Sequence, residues 1–373
     1  MNISNFFYCI ASYNNRAFQV SDINEEFKDN EYIFSRLLTC IFSIFLCAVF
    51  IFFNNYSNYQ KSIIIFYMIY KSLDAFIDIF FGIFQKHMKM IYIGISYIIR
   101  ALSTLFVFII IGLIYDLLTS IIGLTVVTLL ILLLFDIPFS KKIVKYNFFP
   151  INKKQILLLL LKCFPLMMVI LIFTFISSYS RYQLEKIHGT EALGIYSSVI
   201  APSLILQVLS AFVIIPLINV FTACLKEANV KKYLFIFFLC CLFNISITVI
   251  FYIFSVIFGN WGISILFNNK LNDFSYLLPN AFLISGLMSF MWLFNYVFST
   301  IRDLKGILIG SIIGAIVCLF TTNNLLNKYN LDGANYLMII SLSASILYLF
   351  IRFFWFIKTK KFQILINKGE ENV

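Results

Sequence analysis

The chain has 373 residues, 61% of them hydrophobic and 12% charged, more apolar surface than a soluble domain of this size can bury. Its net charge of +11 matches the basic bias of membrane-protein loops, so a nucleic-acid partner is not expected. The eight cysteines lie mostly in apolar stretches without metal-ligand spacing, and His87 and His188 are far apart, so neither a metal nor another cofactor is expected.

Residues 1–12 are mildly apolar and too short to span a bilayer, and 13–33 are polar and acidic. No signal-peptide order appears, and the start reads as the end of a helix that begins outside this sequence. Ten runs then follow that are long enough to cross, at 34–54, 62–84, 90–115, 117–137, 156–179, 193–217, 233–258, 277–300, 306–327 and 336–357. Their length predicts helices, which satisfy their own backbone in lipid. Lys and Arg of the connecting segments, Arg16 among them, fall overwhelmingly on one side, which predicts a multi-pass protein of the cell membrane with both termini cytoplasmic. The basic segment 138–155, with Pro138 and Pro150, separates four spans from six. The expected organisation is an N-terminal lobe over 1–137, a cytoplasmic linker over 138–155, a C-terminal lobe over 156–358 and a tail over 359–373. No loop is long enough to hold an ATP-binding domain.

The second span carries Lys71, Asp74 and Asp78 at i, i+3 and i+7, on one helical face, and the third carries Arg100. Counted from the shared inner turn, Asp74 and Arg100 reach similar depth, so the two are expected to pair, leaving Lys71 and Asp78 less matched. Intramembrane ions mark either a structural ion-pair network or a wet cavity for an anionic group, and the two roles are compatible. Lys162, one turn into the fifth span, either faces that cavity or snorkels to the interface. Arg36 and Arg352 read as topology anchors. Arg181 opens the outer loop 181–186, where it meets an anionic head group or only solvent. Pro165, Pro202 and Pro216 predict bends. Gly306, Gly310 and Gly314 form a smooth face for close helix packing. Gln207, Asn244, Asn280 and Asn295 are polar residues within spans, suited to interhelical bonds or sugar hydroxyls. No Ser/His/Asp or Cys/His arrangement appears, so an enzyme is the weaker class.

Three stretches carry a resemblance. The first is Asn14-Asn15-Arg16-Ala17-Phe18-Gln19-Val20-Ser21-Asp22-Ile23, with Tyr32 and Arg36 beyond it. The second runs from Ser178 through Arg181-Tyr182, Glu185 and Gly189 to Gly194-Ile195-Tyr196. The third joins Asn324 to Gly333-Ala334. In this order they resemble the polysaccharide-type exporters of the multidrug/oligosaccharidyl-lipid/polysaccharide (MOP) superfamily, the flippases of lipid-linked O-antigen and capsule repeat units.

The resemblance implies an all-α integral membrane protein with two helical lobes around a central cationic cavity. It implies alternating access driven by an ion gradient, with an undecaprenyl-pyrophosphate-linked oligosaccharide as substrate. Lys71, Arg100, Lys162 and Arg181 would then meet substrate phosphate. Asp74 or Asp78 would couple the ion or pair with a cation. Membrane lipid, a polysaccharide polymerase and chain-length proteins are the implied partners. The family's N-terminal lobe has six spans where this chain shows four, which implies that the first two are missing. The competing expectations are a drug or organic-cation exporter of the same superfamily, a surface-polysaccharide polymerase and an inert truncated product.

Overall fold

The computed structural model describes residues 2–22, 25–54, 56–144, 152–227 and 229–359. Lys145 and Pro150 of the basic segment and the tail from 360 onward lie outside the described residues. The chain divides into two compact units, 1–171 and 172–373. Among the described residues there are helices and turns and no strand.

Unit 1 holds α1 (Asn2–Ser12), α2 (Asn15–Val20), α3 (Asp29–Phe52), α4 (Asn58–Lys86), α5 (Met90–Ile114) and α6 (Leu117–Ile131). A π-helical turn, Leu132–Asp136, leads into α7 (Ile137–Ile143), and the first part of α8 (Lys153–Ile200) completes the unit. Unit 2 holds the rest of α8, then α9 (Leu204–Lys226), α10 (Val230–Phe267), α11 (Leu277–Thr300) and α12 (Leu304–Ile357).

Local chemistry sets several boundaries. Ser57 and Gln60 cap α4 reciprocally, each side chain accepting the other's backbone N–H at 3.3 and 3.0 Å. Asp116 caps α6, and bonds from the Thr119 hydroxyl and N–H hold its carboxyl below the usual carboxylate range. Pro202 sits in the 3₁₀ turn Ala201–Ser203 that separates α8 from α9, whereas Pro165 and Pro216 lie inside α8 and α9.

Seven continuous helical runs are long and apolar enough to cross a bilayer. Two of them are too long for one crossing. The Lys153–Lys226 run breaks at Gly189, where φ is 89°, and again at the turn Ala201–Ser203. The 54-residue α12 breaks at Asn330, where φ is 50°. Glycine and asparagine are the residues that tolerate such left-handed backbone. Dividing these two runs once each, at Gly189 and Asn330, and adding α4, whose charges set it apart, gives a count close to the ten predicted spans, with the turn Ala201–Ser203 lying inside the predicted span 193–217.

α4 is the centre of unit 1. It packs against α1, α2, α3, α5 and α6 and buries Ala75, Ile77, Phe80, Phe81 and Phe84. In unit 2 the corresponding place belongs to α11, buried along most of its length between α9, α10 and α12. The opposite case is α5, whose buried side chains are Ile93, Ser96 and Arg100, one stripe at helical spacing. The rest of α5 turns Ile, Leu and Phe outward, as a lipid-facing helix of a multi-pass membrane protein does.

The glycine face has its partner within α12. A Cβ at Gly310 would fall 2.7 Å from Leu349, and one at Gly314 would fall 2.1 Å from the Ser345 hydroxyl; both contacts lie on the limb beyond Asn330. Gly306 sits beneath Asp303, whose carboxylate takes two bonds from Arg352 at 2.7 and 3.2 Å. Arg352, expected as an anchor, thus ties the end of α12 to its beginning.

Gly333 is tighter still, because a Cβ there would lie 2.4 Å from the Leu325 carbonyl oxygen and 2.9 Å from the Leu326 Cα. Backbone does not step aside as a side chain does. Gly333→Ala is expected to cost about 1–3 kcal/mol, read as a lower thermal midpoint in detergent. An unchanged midpoint would refute this packing.

Candidate functional site

Charge gathers at two places, one in each unit. In unit 1 the centre is the Lys71–Asp74–Asp78 face of α4. Arg100 Nη1 of α5 donates to Asp74 Oδ1 at 2.6 Å, so the expected pair is present. Asp78, expected to be less matched, has two arginines. Arg16 of α2 reaches its Oδ1 at 2.9 Å, and Arg36 of α3 reaches Oδ2 at 3.3 Å.

Neither arginine is a loop charge or an anchor. Arg36 is fully buried and also donates to the Ala11 and Ser12 carbonyls at the end of α1. Arg16 also bonds Gln85 Oε1 at 3.1 and 2.9 Å. The guanidiniums of Arg16 and Arg100 both lie over the Phe81 ring, at 5.7 and 5.6 Å.

Lys71 has no carboxylate partner among the described residues. Its ammonium lies 5.4 Å from the ring of Tyr8, 5.9 Å from Tyr67 and 6.0 Å from Tyr70. Four cations, Arg16, Arg36, Lys71 and Arg100, therefore stand around Asp74 and Asp78.

Lys162 does not join them. It pairs with Glu26 and lies 5.4 Å from the Phe27 ring, while the neighbouring Glu25 pairs with Lys86 at 3.1 Å. This acidic segment is shaped by Asp22, which accepts the N–H groups of Glu26 and Phe27 and the Tyr32 hydroxyl at 3.0–3.2 Å.

One further carboxyl of unit 1 escaped sequence reasoning. Asp136, in the π-helical turn, is wholly buried and faces Ser96 and Arg100 of α5. A lone acid at the end of the apolar run 129–135 was its only signal.

Unit 2 contains a cavity of about 220 Å³ lined by Ser177, Arg181, Ser197, Ser203, Gln207 and Ser285, with Tyr196 and apolar residues completing the wall. Arg181 lies within α8, which continues to Gly189, and not in a loop. It is the single charged side chain among those lining the cavity. Its Nε is shielded from solvent without a hydrogen-bond partner among the described residues.

The neutral groups of the wall are ordered by a chain of bonds. Gln207 donates to Ser285 at 3.3 Å, Ser285 to Ser203 at 3.0 Å, and Ser203 to the Ile200 carbonyl at 2.8 Å. Tyr196 is fixed by its bond to Asn335 Oδ1 at 3.0 Å, and Asn335 in turn bonds Asp332, as does Asn280. Such a site offers an anion one guanidinium and offers hydroxyl-bearing groups several donors and acceptors.

Comparisons with known proteins follow this geometry. No curated protein matches the chain by sequence. Among solved structures, the Vibrio cholerae MATE transporter VcmN in its bent form is similar at a TM-score of 0.70 and 13% identity, over 99% of this chain and 86% of that one. A MOP superfamily transporter from Pyrococcus furiosus is similar at 0.66 and 14% identity, over 99% and 86%. A eukaryotic MATE transporter, AtDTX14, is similar at 0.64 and 12%, over 100% and 86%. These likenesses establish a shared fold. Residues 13–219, more than half of the chain, match the polysaccharide biosynthesis protein family. The chain is thus a member of that family, built on the fold of the MOP-superfamily transporters.

Proposed function

We propose that this protein is a transporter that flips a polyprenyl-pyrophosphate-linked oligosaccharide, of the O-antigen or capsule repeat-unit type, from the cytoplasmic to the outer leaflet of the inner membrane. Arg181, without a partner in a hydroxyl-lined cavity, is the observation that carries the reading. A guanidinium matches phosphate through charge-assisted bonds, and the serines and Gln207 match sugar hydroxyls. The lipid tail stays in the bilayer while the polar head crosses. Access alternates between the two sides of the membrane, with both chain termini cytoplasmic. A polymerase and chain-length proteins would receive the product.

The second reading, export of organic cations, is the one suggested by the multidrug members that share the fold. It calls for an unmatched carboxylate, whereas the cavity presents an unmatched cation and the α4 face is ringed by cations. Charge polarity has already been taken to separate functions within this fold: in the Pyrococcus furiosus transporter, reverse polarity of the binding pocket suggests a different function.

The test is expression in a strain lacking its own polysaccharide flippase but supplied with the native glycan, with lipid-linked repeat units assayed on each side of the inner membrane. Outer-leaflet repeat units are the expected result. Their absence despite membrane insertion, together with export of a cationic dye, would overturn the proposal in favour of the second reading.

A further inference from the structure

Asp136 has no role in either charged cluster, and its surroundings are unusual. It is 0% exposed, and its carboxyl makes no well-formed hydrogen bond among the described residues, although the Ser96 hydroxyl and Arg100 of α5 both lie near enough to act on it. Ser96 is itself fully buried on α5. By contrast Asp74 has Arg100, and Asp78 has Arg16 and Arg36.

The charged groups on the elements around the turn are Arg100 on α5, Lys61, Lys71, Asp74, Asp78 and Lys86 on α4, and Lys141 and Lys142 on α7. Of these, Arg100 is the one that acts on the Asp136 carboxyl, and its Nη1 is already committed to Asp74 at 2.6 Å. Burying an ionised carboxylate is costly, and here the cost is offset only by one hydroxyl, Ser96, and by a guanidinium that Asp74 already engages.

The backbone is equally unusual. Asp136 ends a five-residue π-helical turn between α6 and α7. Such turns occur mostly as single irregularities inside α-helices, frequently at functional sites, because their wider ring leaves the helix less tightly bonded.

We propose that Asp136 is a proton-binding site whose occupancy selects the partner of Arg100. With the proton bound, the carboxyl is neutral and Arg100 belongs to Asp74, as observed. When the proton leaves to water, a second carboxylate competes for the same guanidinium, drawing Arg100 off Asp74 and loosening the seam between α4 and α5. This gives unit 1 two arrangements that a proton gradient biases. The use of the switch in transport rests on the flippase reading; the protonation itself does not.

The experiment is infrared difference spectroscopy on the full chain in lipid, following the carbonyl stretch of a protonated carboxylic acid, which is resolved from carboxylate and amide bands. At mildly acidic pH the wild type is expected to show this band, shifted on exchange into heavy water and lost reversibly as the pH is raised. Asp136→Asn should lack it and keep its thermal midpoint, since a neutral amide replaces a neutral acid. Asp74→Asn and Asp78→Asn should retain it. A wild type without the band, or a band that persists in Asp136→Asn, overturns the proposal. A chain that shows the band yet flips no lipid-linked sugar would refute the flippase reading and leave the proton site standing.

Discussion

Arg181→Ala is expected to slow flipping of the lipid-linked oligosaccharide roughly ten- to a hundredfold and to leave the thermal midpoint unchanged. The first half follows from the ligand. A hydrogen bond to a charged group contributes about 1.5–3 kcal/mol, and each 1.4 kcal/mol or so is tenfold in affinity. The second half follows from Arg181 Nε, which has no hydrogen-bond partner among the described residues, and from a cavity wall that holds no carboxylate for alanine to orphan. Arg181→Lys should fall between, keeping the charge while losing the planar fork that grips phosphate on two sides. The measurement is initial flipping rate in vesicles, set beside thermal unfolding of the same preparations. A large fall in midpoint would show that Arg181 holds the helix bundle together and would withdraw it from substrate binding.

Asp78→Ala should have the reverse profile, with stability lost first. Arg36 is wholly buried, and Asp78 is its carboxylate partner. Without Asp78, the buried Arg36 loses its carboxylate and Arg16 loses one of its partners. Removing one partner of a buried pair costs about 3–5 kcal/mol. The Asp78 side chain is 27% exposed, so solvent screening reduces this to roughly 2–3 kcal/mol. For a unit of this size that corresponds to a midpoint lowered by about 5–10 °C. Asp78→Asn should cost less, because the amide oxygen still accepts. Asp74→Ala should also cost less, because it orphans only Arg100, which retains the faces of Phe81 and Tyr97 at 5.6 and 5.1 Å. Equal midpoints for the three variants would refute the ranking.

The spans were legible because the bilayer imposes a length and a polarity that local composition must obey. The Lys71–Asp74–Asp78 face was legible because helical spacing is local too. What remained hidden were partnerships across the chain. Arg16 and Arg36 lie 62 and 42 residues from Asp78, and Glu26 lies 136 residues from Lys162, distances at which no periodicity speaks. Arg16 looked like a loop charge because α2 is too short and polar to announce itself. Arg181 was assigned to a loop because Arg-Tyr-Gln-Leu-Glu-Lys ends the apolar run, yet the helix does not end until Gly189 supplies a backbone that can turn. Polarity marks where lipid stops, and only a conformational break marks where a helix stops.

The packing of α12 also has a consequence for biosynthesis. Its first limb carries the glycine face, and the residues that fill it, Ser341, Ser345 and Leu349, lie on the second limb. A chain emerging from the ribosome in order enters the membrane with that groove open to acyl chains. The groove closes when the limb beyond Asn330 arrives, and Arg352 then reaches back to Asp303. Completion of this packing therefore waits for the second limb, and lipid acts as a temporary occupant of a place reserved for the protein's own later residues.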